Sequence, residues 1–245
     1  MNNKFVFVTP VYNCEKTIHK TLYSMMAQSY DSWHAIIIND ISSDSTLDKI
    51  NKTINSSIYK DRFTVIDNLE KHGEVRNTLQ AIKTIDDNSI VCRVDGGDWI
   101  TENDCLYVLN KCYNTYDPAV MWTSHRWAYT NQNISNRLDM KKFKSVYDHP
   151  WVSSHMKTFR CKYLKEVDDK NFRDENGDYI MIACDQAIFL PMMHLGHIQG
   201  KELLHLPMVC YHYSIDLEKE DLFTCDRSIN QRDSALFLRK RGYVE

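Results

Sequence analysis

Ser89-Ile90-Val91-Cys92-Arg93-Val94-Asp95-Gly96-Gly97-Asp98-Trp99 is the stretch whose reading decides the fold. Ser89 to Val94 reads as a buried strand, and Asp95 to Asp98 as a glycine-softened turn at its end. Two carboxylates there suit a hard divalent cation, which takes oxygen ligands and shares them with phosphates. Unpaired anions repel and are costly to desolvate, so a sheet edge has little other reason to collect two. A plain Asp-Gly-Gly-Asp turn, with glycine supplying unusual backbone angles, is the simpler alternative.

Upstream of this strand the chain alternates two periodicities. Phe5 to Val8, Trp33 to Ile38 and Arg62 to Ile66 read as strands. Between them Glu15 to Gln28, Ser45 to Asn55 and Glu74 to Ile85 carry apolar residues at helical spacing. Strands alternating with crossover helices imply a largely parallel sheet built of right-handed units. Each strand is followed by a polar loop: Thr9 to Asn13, Asn39 to Asp44, Asp67 to Gly73 and Asp95 to Asp98. In an open α/β sheet ligands bind beyond the carboxyl ends of the strands, so four such loops point to one crevice. Two nucleotide folds are excluded, because neither G-x-G-x-x-G nor G-x-x-x-x-G-K-[ST] occurs. The first loop offers Pro10 and Tyr12 instead, a rigid residue and a ring suited to stacking on a base.

At 245 residues the chain is long enough for one large domain with a substantial core. A formal charge of −3 gives no electrostatic reason for stable nucleic-acid binding. The opening Met1-Asn2-Asn3-Lys4 runs straight into a strand, without a secretion signal, and no stretch is apolar enough for a transmembrane segment. A cytoplasmic protein is expected. None of the eight cysteines forms C-x-x-C, so neither a zinc ribbon nor a redox pair is signalled, and reduced thiols are expected.

Beyond Pro118 the pattern is less regular. Ala119 to Thr123 and Ser153 to Phe159 read as strands, and Cys161 to Val167 as a short helix. Ala183 to Met193 reads as an apolar helix broken near Pro191. Glu202 to His212 reads as a returning strand and Asp221 to Arg241 as a C-terminal helix with a basic end. If Ser153 to Arg160 is extended, His155, Lys157 and Phe159 share one face and Arg160 points the other way. A half-exposed basic strand would have the same sequence.

Four of these segments resemble, in order and spacing, the family-2 glycosyltransferases of the GT-A fold. Phe5 to Asn13 is similar to that family's opening strand and P-x-Y-N loop. Asn39 to Thr46 resembles D-D-x-S-x-D-x-T, and Gly73 to Asn77 resembles G-x-x-x-R-N. Asp95-Gly96-Gly97-Asp98-Trp99-Ile100 resembles D-x-D-D-W-[IL]. In the second half, Ser154 to Arg160 resembles an S-H-x-K-T-F-R segment found in a subset. Cys184-Asp185 resembles the x-D motif at a helix start. The likeness runs from Phe5 to about Tyr213.

The resemblance implies a three-layer α/β/α fold with a mostly parallel, mixed central sheet. It implies one domain over 1–245: a nucleotide-sugar half at 1–118, an acceptor half at 119–215 and a helical tail at 216–245. It implies a UDP- or GDP-linked sugar donor, with Pro10, Tyr12, Asp40, Arg76 and Asp95 around base and ribose. Arg76 could equally be a surface helix cation, and Tyr12 a loop-packing ring. Mn²⁺ or Mg²⁺ would be held by Asp98 with Asp95, and His212 is a further candidate ligand. His155 and Lys157 would face the diphosphate or the acceptor. Asp185 would be the base of inverting transfer, although a carboxylate there also serves as a helix-dipole partner, worth about 0.3–1 kcal/mol.

One departure stands out. Gly97 occupies the place where the family often has the metal-holding Asp; Asp98 could take that place, with Asp95 on the ribose or a metal-bound water. The acceptor would be a glycan, a protein or another hydroxyl compound. Two other readings share these features: a binding module of the same fold without turnover, and a sugar-phosphate nucleotidyltransferase. The latter should carry a Gly-rich, basic opening loop, which this chain lacks.

Overall fold

The computed structural model describes residues 2–127, 132–214 and 226–245. The first half forms β1 (Phe5–Val11), α1 (Ile18–Met26), β2 (Trp33–Asn39), α2 (Thr46–Asn55), β3 (Phe63–Asp67), α3 (Gly73–Ile82) and β4 (Ile90–Arg93). Then follow β5 (Trp99–Ile100), α4 (Cys105–Tyr116), β6 (Val120–Trp127), β7 (Lys157–Arg160) and α5 (Cys161–Lys165). The chain continues through α6 (Cys184–Ile198) and β8 (Leu203–Tyr213), with α7 (Asp226–Arg241) near its end. Eight strands make one sheet in the order β3-β2-β1-β4-β7-β6-β8-β5. β1 to β4 are mutually parallel where they pair, β7 runs antiparallel to both β4 and β6, and β8 runs parallel to β6. The expected mixed, mostly parallel sheet is therefore present.

The period-2 alternation of the strands builds the three layers. Phe5, Phe7, Ala35, Ile37, Ile90 and Cys92 point to one face, against Leu22, Ile50 and Leu106 from α1, α2 and α4. Val6, Val8, Ile36, Ile38 and Val91 point to the other, against Leu79, Leu164 and Ile188 from α3, α5 and α6. Strands so covered on both faces read as continuous apolar runs, which is why they were legible.

Two expected elements differ. The strand expected over Ser153 to Phe159 is confined to Lys157–Arg160. Its partner β4 ends at Arg93, opposite Lys157, so the preceding residues have no ladder there. The helix expected to break near Pro191 runs on to Ile198. Proline removes one bond at a cost of about 3 kcal/mol. Ile188, Phe189, Met192 and Met193 are all buried on this helix, and side chains of that size contribute about 1.5–3 kcal/mol each. The C-terminal helix is described over Asp226–Arg241, and the expected residues 221–225 lie outside the described ones. No helix among the described residues is long and apolar enough to cross a membrane. The seven cysteines among them are unpaired.

The β1–α1 and β2–α2 loops are clasped together. Asn13 N–H donates to Ser42 Oγ at 3.0 Å, and Ser43 N–H returns a bond to Asn13 Oδ1 at 2.8 Å. Cys14 N–H donates to Thr46 Oγ1 at 2.8 Å, and Ser45 N–H to Glu15 Oε2 at 3.1 Å. The turn after β4 is closed by Asp98 N–H on the Asp95 carbonyl at 3.1 Å. Gly97 sits at its third position with φ +102°, and a Cβ there would lie 2.9 Å from Thr17 Oγ1. Only glycine fits that angle without strain. Gly97→Ala should therefore lower stability by about 1–3 kcal/mol in denaturant unfolding, with m unchanged.

Candidate active site

The strand order reverses between β1 and β4: the chain builds outward through β2 and β3, then returns to the other side of β1. Such a switch point opens a crevice at the carboxyl edge. Two cavities lie there. One, of about 420 Å³, is lined by Pro10, Tyr12, Asp40, Lys71, Asp95 and Asp98 among others. The other, of about 530 Å³, is lined by Glu74, Asp95, His155, Asp185 and Tyr213, with Asn230 and Gln231 of α7 beyond them. They meet along Glu74, Asp95, Met181, Cys184 and Tyr213, which line both.

In the first cavity Tyr12 is exposed, and Lys71 Nζ lies 3.1 Å from its ring centre. Asp40 is buried and already engaged. It accepts from His72 N–H at 2.9 Å, Gly73 N–H at 3.0 Å and Asn68 Nδ2 at 2.9 Å, and pairs with Lys71 at 3.3 Å. Burial pushes its carboxyl up, but the donors from His72, Asn68, Asn77 and Gly73 outweigh this and bring it down to about 2. Asp40 therefore holds the start of α3 as well as lining the cavity.

A buried guanidinium organises the junction. Arg93 ends β4 with its side chain nearly inaccessible to water. It donates to the Val8 carbonyl at 2.9 Å, to Asp95 Oδ1 at 3.1 Å and to Glu74 Oε1. Burial alone would lower its pKa; Glu74 and Asp95 reverse that and raise it. Burial lifts the Glu74 carboxyl to about 7, with Arg93 opposing and Asp95 and Asp185 adding to the rise.

Asp95, Asp98 and His155 each present a ligand atom, all within 4.8 Å of one another, and no other such group of three occurs among the described residues. His155 Nδ1 lies 3.7 Å from Asp95 Oδ2. Its ring stacks on Tyr211 and Tyr213, at 5.0 Å between centres in each case. Burial, then Lys157, His125 and Arg93, push its pKa well below the usual histidine range, so the imidazole is neutral and can ligate. Asp98 is buried and accepts from Tyr211 Oη at 2.8 Å and Ser214 N–H at 2.8 Å. Each carboxylate oxygen keeps a further lone pair. Burial, then the Asp95 charge, raise the Asp98 carboxyl well above its usual range. Four carboxylates (Glu74, Asp95, Asp98, Asp185) face two fixed cations (Arg93, Lys157) here, a formal deficit of two positive charges. The donor set and the charge both fit one hard divalent ion.

Asp185 stands in the first turn of α6, its Oδ1 accepting from Gln186 N–H at 2.8 Å and its Oδ2 3.6 Å from Lys157 Nζ. Lys157 is buried, with Phe189 and Trp151 rings 5.2 and 5.8 Å away. Arg160 turns away to Asp117 at 2.7 Å, as the alternation required.

The structure thus brings Pro10, Tyr12, Asp40, Asp95, Asp98, His155, Lys157 and Asp185 together. Two expected site residues lie elsewhere. Arg76 pairs with Glu70 at 3.2 Å and lines a separate groove with Leu79, Leu164 and Phe172. This chain has two residues between Gly73 and Arg76 where the family pattern has three, and one residue turns a helix by about 100°. His212 lies on the opposite face of β8 from Tyr211, stacked on Trp99 at 4.0 Å. Glu74, Arg93 and Tyr211 escaped the sequence reading. Arg93 carried a signal, being a charge inside an apolar strand, which must find a partner.

The model of glycosyl transferase family 2 matches residues 6–172. Putative glycosyltransferase EpsE of Bacillus subtilis (strain 168) is 30% identical over 95 residues, 39% of this chain and 33% of that protein. Chondroitin synthase of Pasteurella multocida (strain Pm70) is 22% identical over 204 residues, 82% of this chain but 20% of that protein. The chain spans a fifth to a third of the length of these curated relatives. Among solved structures, S. aureus TarS 1–349 in complex with UDP-GlcNAc superposes with a TM-score of 0.69 at 17% identity, over 99% of this chain and 68% of that one. Mannosyltransferase PcManGT from Pyrobaculum calidifontis, in complex with GDP-Man and Mn²⁺, gives 0.62 at 13% identity, over 89% and 59%. These neighbours share the GT-A architecture. With the family match running from β1 past β7, across all four polar loops and the strand that carries Lys157, the chain belongs to glycosyl transferase family 2.

Proposed function

We propose that this chain transfers a glycosyl group from a UDP- or GDP-linked sugar to an acceptor hydroxyl, with inversion at the anomeric carbon. The observation that carries the reading is the meeting of the two cavities at Glu74 and Asp95. One cavity has an exposed ring and a rigid proline for a nucleoside; the other ends at a carboxylate 3.6 Å from a buried lysine. Solved neighbours hold UDP-GlcNAc in one case and GDP-Man with Mn²⁺ in another, which supports the donor class and a divalent ion.

The base stacks against Tyr12 beside Pro10, and Lys71 meets phosphate charge from the cavity wall. Asp95, Asp98 and His155 would hold Mn²⁺ or Mg²⁺, which when bound supplies Lewis-acid stabilisation to the departing diphosphate. Asp185 takes the proton of the acceptor hydroxyl as its oxygen bonds to the anomeric carbon. The bond from that carbon to the diphosphate oxygen breaks at the same time, its electron pair leaving with the diphosphate. Lys157 anchors Asp185 in place through their ion pair. The acceptor, whether glycan, protein or another hydroxyl compound, enters from the α7 side, where Asn230 and Gln231 line the cavity.

Three measurements test this. A melting screen of UDP, GDP and their sugars with Mn²⁺ should raise Tm for one nucleotide series and leave it unchanged for the other. No rise with either series rejects the donor class. Asp185→Asn should lower kcat by about 10²–10⁴-fold while nucleotide binding stays within a few-fold. His155→Gln should weaken Mn²⁺ binding, followed by calorimetry, by at least about tenfold. Unchanged metal affinity would move the ligand elsewhere. Binding without turnover on any acceptor would favour a non-catalytic module.

A further inference from the structure

Glu74 is the one carboxylate at the junction that is neither a metal-ligand candidate nor the candidate base. It lines both cavities, so a nucleotide sugar spanning them passes across it. Its Oε1 is taken by Arg93, and no protein partner occupies its Oε2 among the described residues. About a third of its side chain remains accessible to solvent. In its ionised form Glu74 repels the anionic diphosphate. The sugar ring is the neutral part of the donor that fits against it, offering hydroxyl donors that a carboxylate oxygen accepts well.

The other charges around the ring sharpen the requirement. Arg93 is already shared between Glu74 and Asp95, and Lys157 is paired with Asp185. His155 is a candidate ligand of the ion and is stacked on Tyr211 and Tyr213, so it offers no separate charge to the sugar. A bound divalent ion would balance the carboxylates, and Lys71 on the nucleoside side is the cation placed for the donor's own phosphates. No cation at the sugar is free to receive a second anion.

Resting on the donor reading above, we propose that Glu74 is the specificity residue for the transferred sugar. Its free Oε2 accepts a hydrogen bond from a ring hydroxyl, and the cavity takes neutral hexosyl or hexosaminyl donors and rejects uronic acids. A sugar carboxylate would face Glu74, Asp95 and Asp185 at once.

Calorimetry with Mn²⁺ on the full chain tests this with two matched sets: UDP, UDP-glucose and UDP-glucuronate; and GDP, GDP-mannose and GDP-mannuronate. In the set that binds, the neutral sugar should bind on the order of tenfold tighter than its uronate. Glu74→Gln keeps an acceptor for Arg93 but removes the charge. It should shrink that preference by at least about threefold, while the bare diphosphate binds as before. Equal binding of neutral and uronate donors by the wild type overturns the inference and leaves the donor reading standing. So does an unchanged preference in Glu74→Gln. If Glu74→Gln weakens the bare diphosphate to the same extent, Glu74 serves the fold and the assignment falls. If neither diphosphate binds the wild type, the donor reading fails and takes this inference with it.

Discussion

A guanidinium with almost no access to water joins three elements at the carboxyl edge of the sheet. Arg93 reaches back to the Val8 carbonyl of β1, across to Glu74 at the start of α3 and forward to Asp95 of the turn. An arginine so placed cannot be left unpaired, because breaking a buried pair from one side costs about 3–5 kcal/mol. Its partners are therefore fixed where they stand. Glu74 and Asp95 line the crevice, so the same ion pairs that satisfy Arg93 set the shape of the cavity.

The rest of the site is arranged around that anchor by backbone groups and rings. Tyr211 links the two acidic residues of the turn: its hydroxyl donates to Asp98 and accepts from the Asp95 N–H. His155 stacks on both Tyr211 and Tyr213, which fixes the plane of its ring. Gly97 lets the turn close with the Asp98 side chain directed inward, toward Tyr211 and the Ser214 N–H. Gly97 stands where the family often has an acidic residue, and the Asp98 carboxylate and the His155 ring lie together beside Asp95.

Much of this was legible in the sequence. The first four strands announce themselves as apolar runs, and the loops after them contain Pro10, Tyr12, Asp40, Asp95 and Asp98. Asp185 could be named only through family likeness, because helix-capping chemistry uses the same residue at the same place. Arg76 and His212 lie away from the crevice for geometric reasons. On a helix one missing residue rotates a side chain to another face, and on a strand one step moves it to the opposite side. The irregular pairing of β6 with β8, shifted around Ser124, hid which side of β8 faces the crevice. Glu74 and Arg93 are 19 positions apart, and nothing local pairs them.

The clasp between the two loops beneath Tyr12 has a kinetic consequence. Asn13, Cys14 and Glu15 are bonded to Ser42, Ser43, Thr46 and Ser45 through the chain's own groups. That wall loses little freedom when it is occupied, so the entropic penalty of recognition is largely met during folding. Encounter then needs no slow rearrangement on this side, and differences among the nucleotides proposed to bind there will reside in how long each one stays.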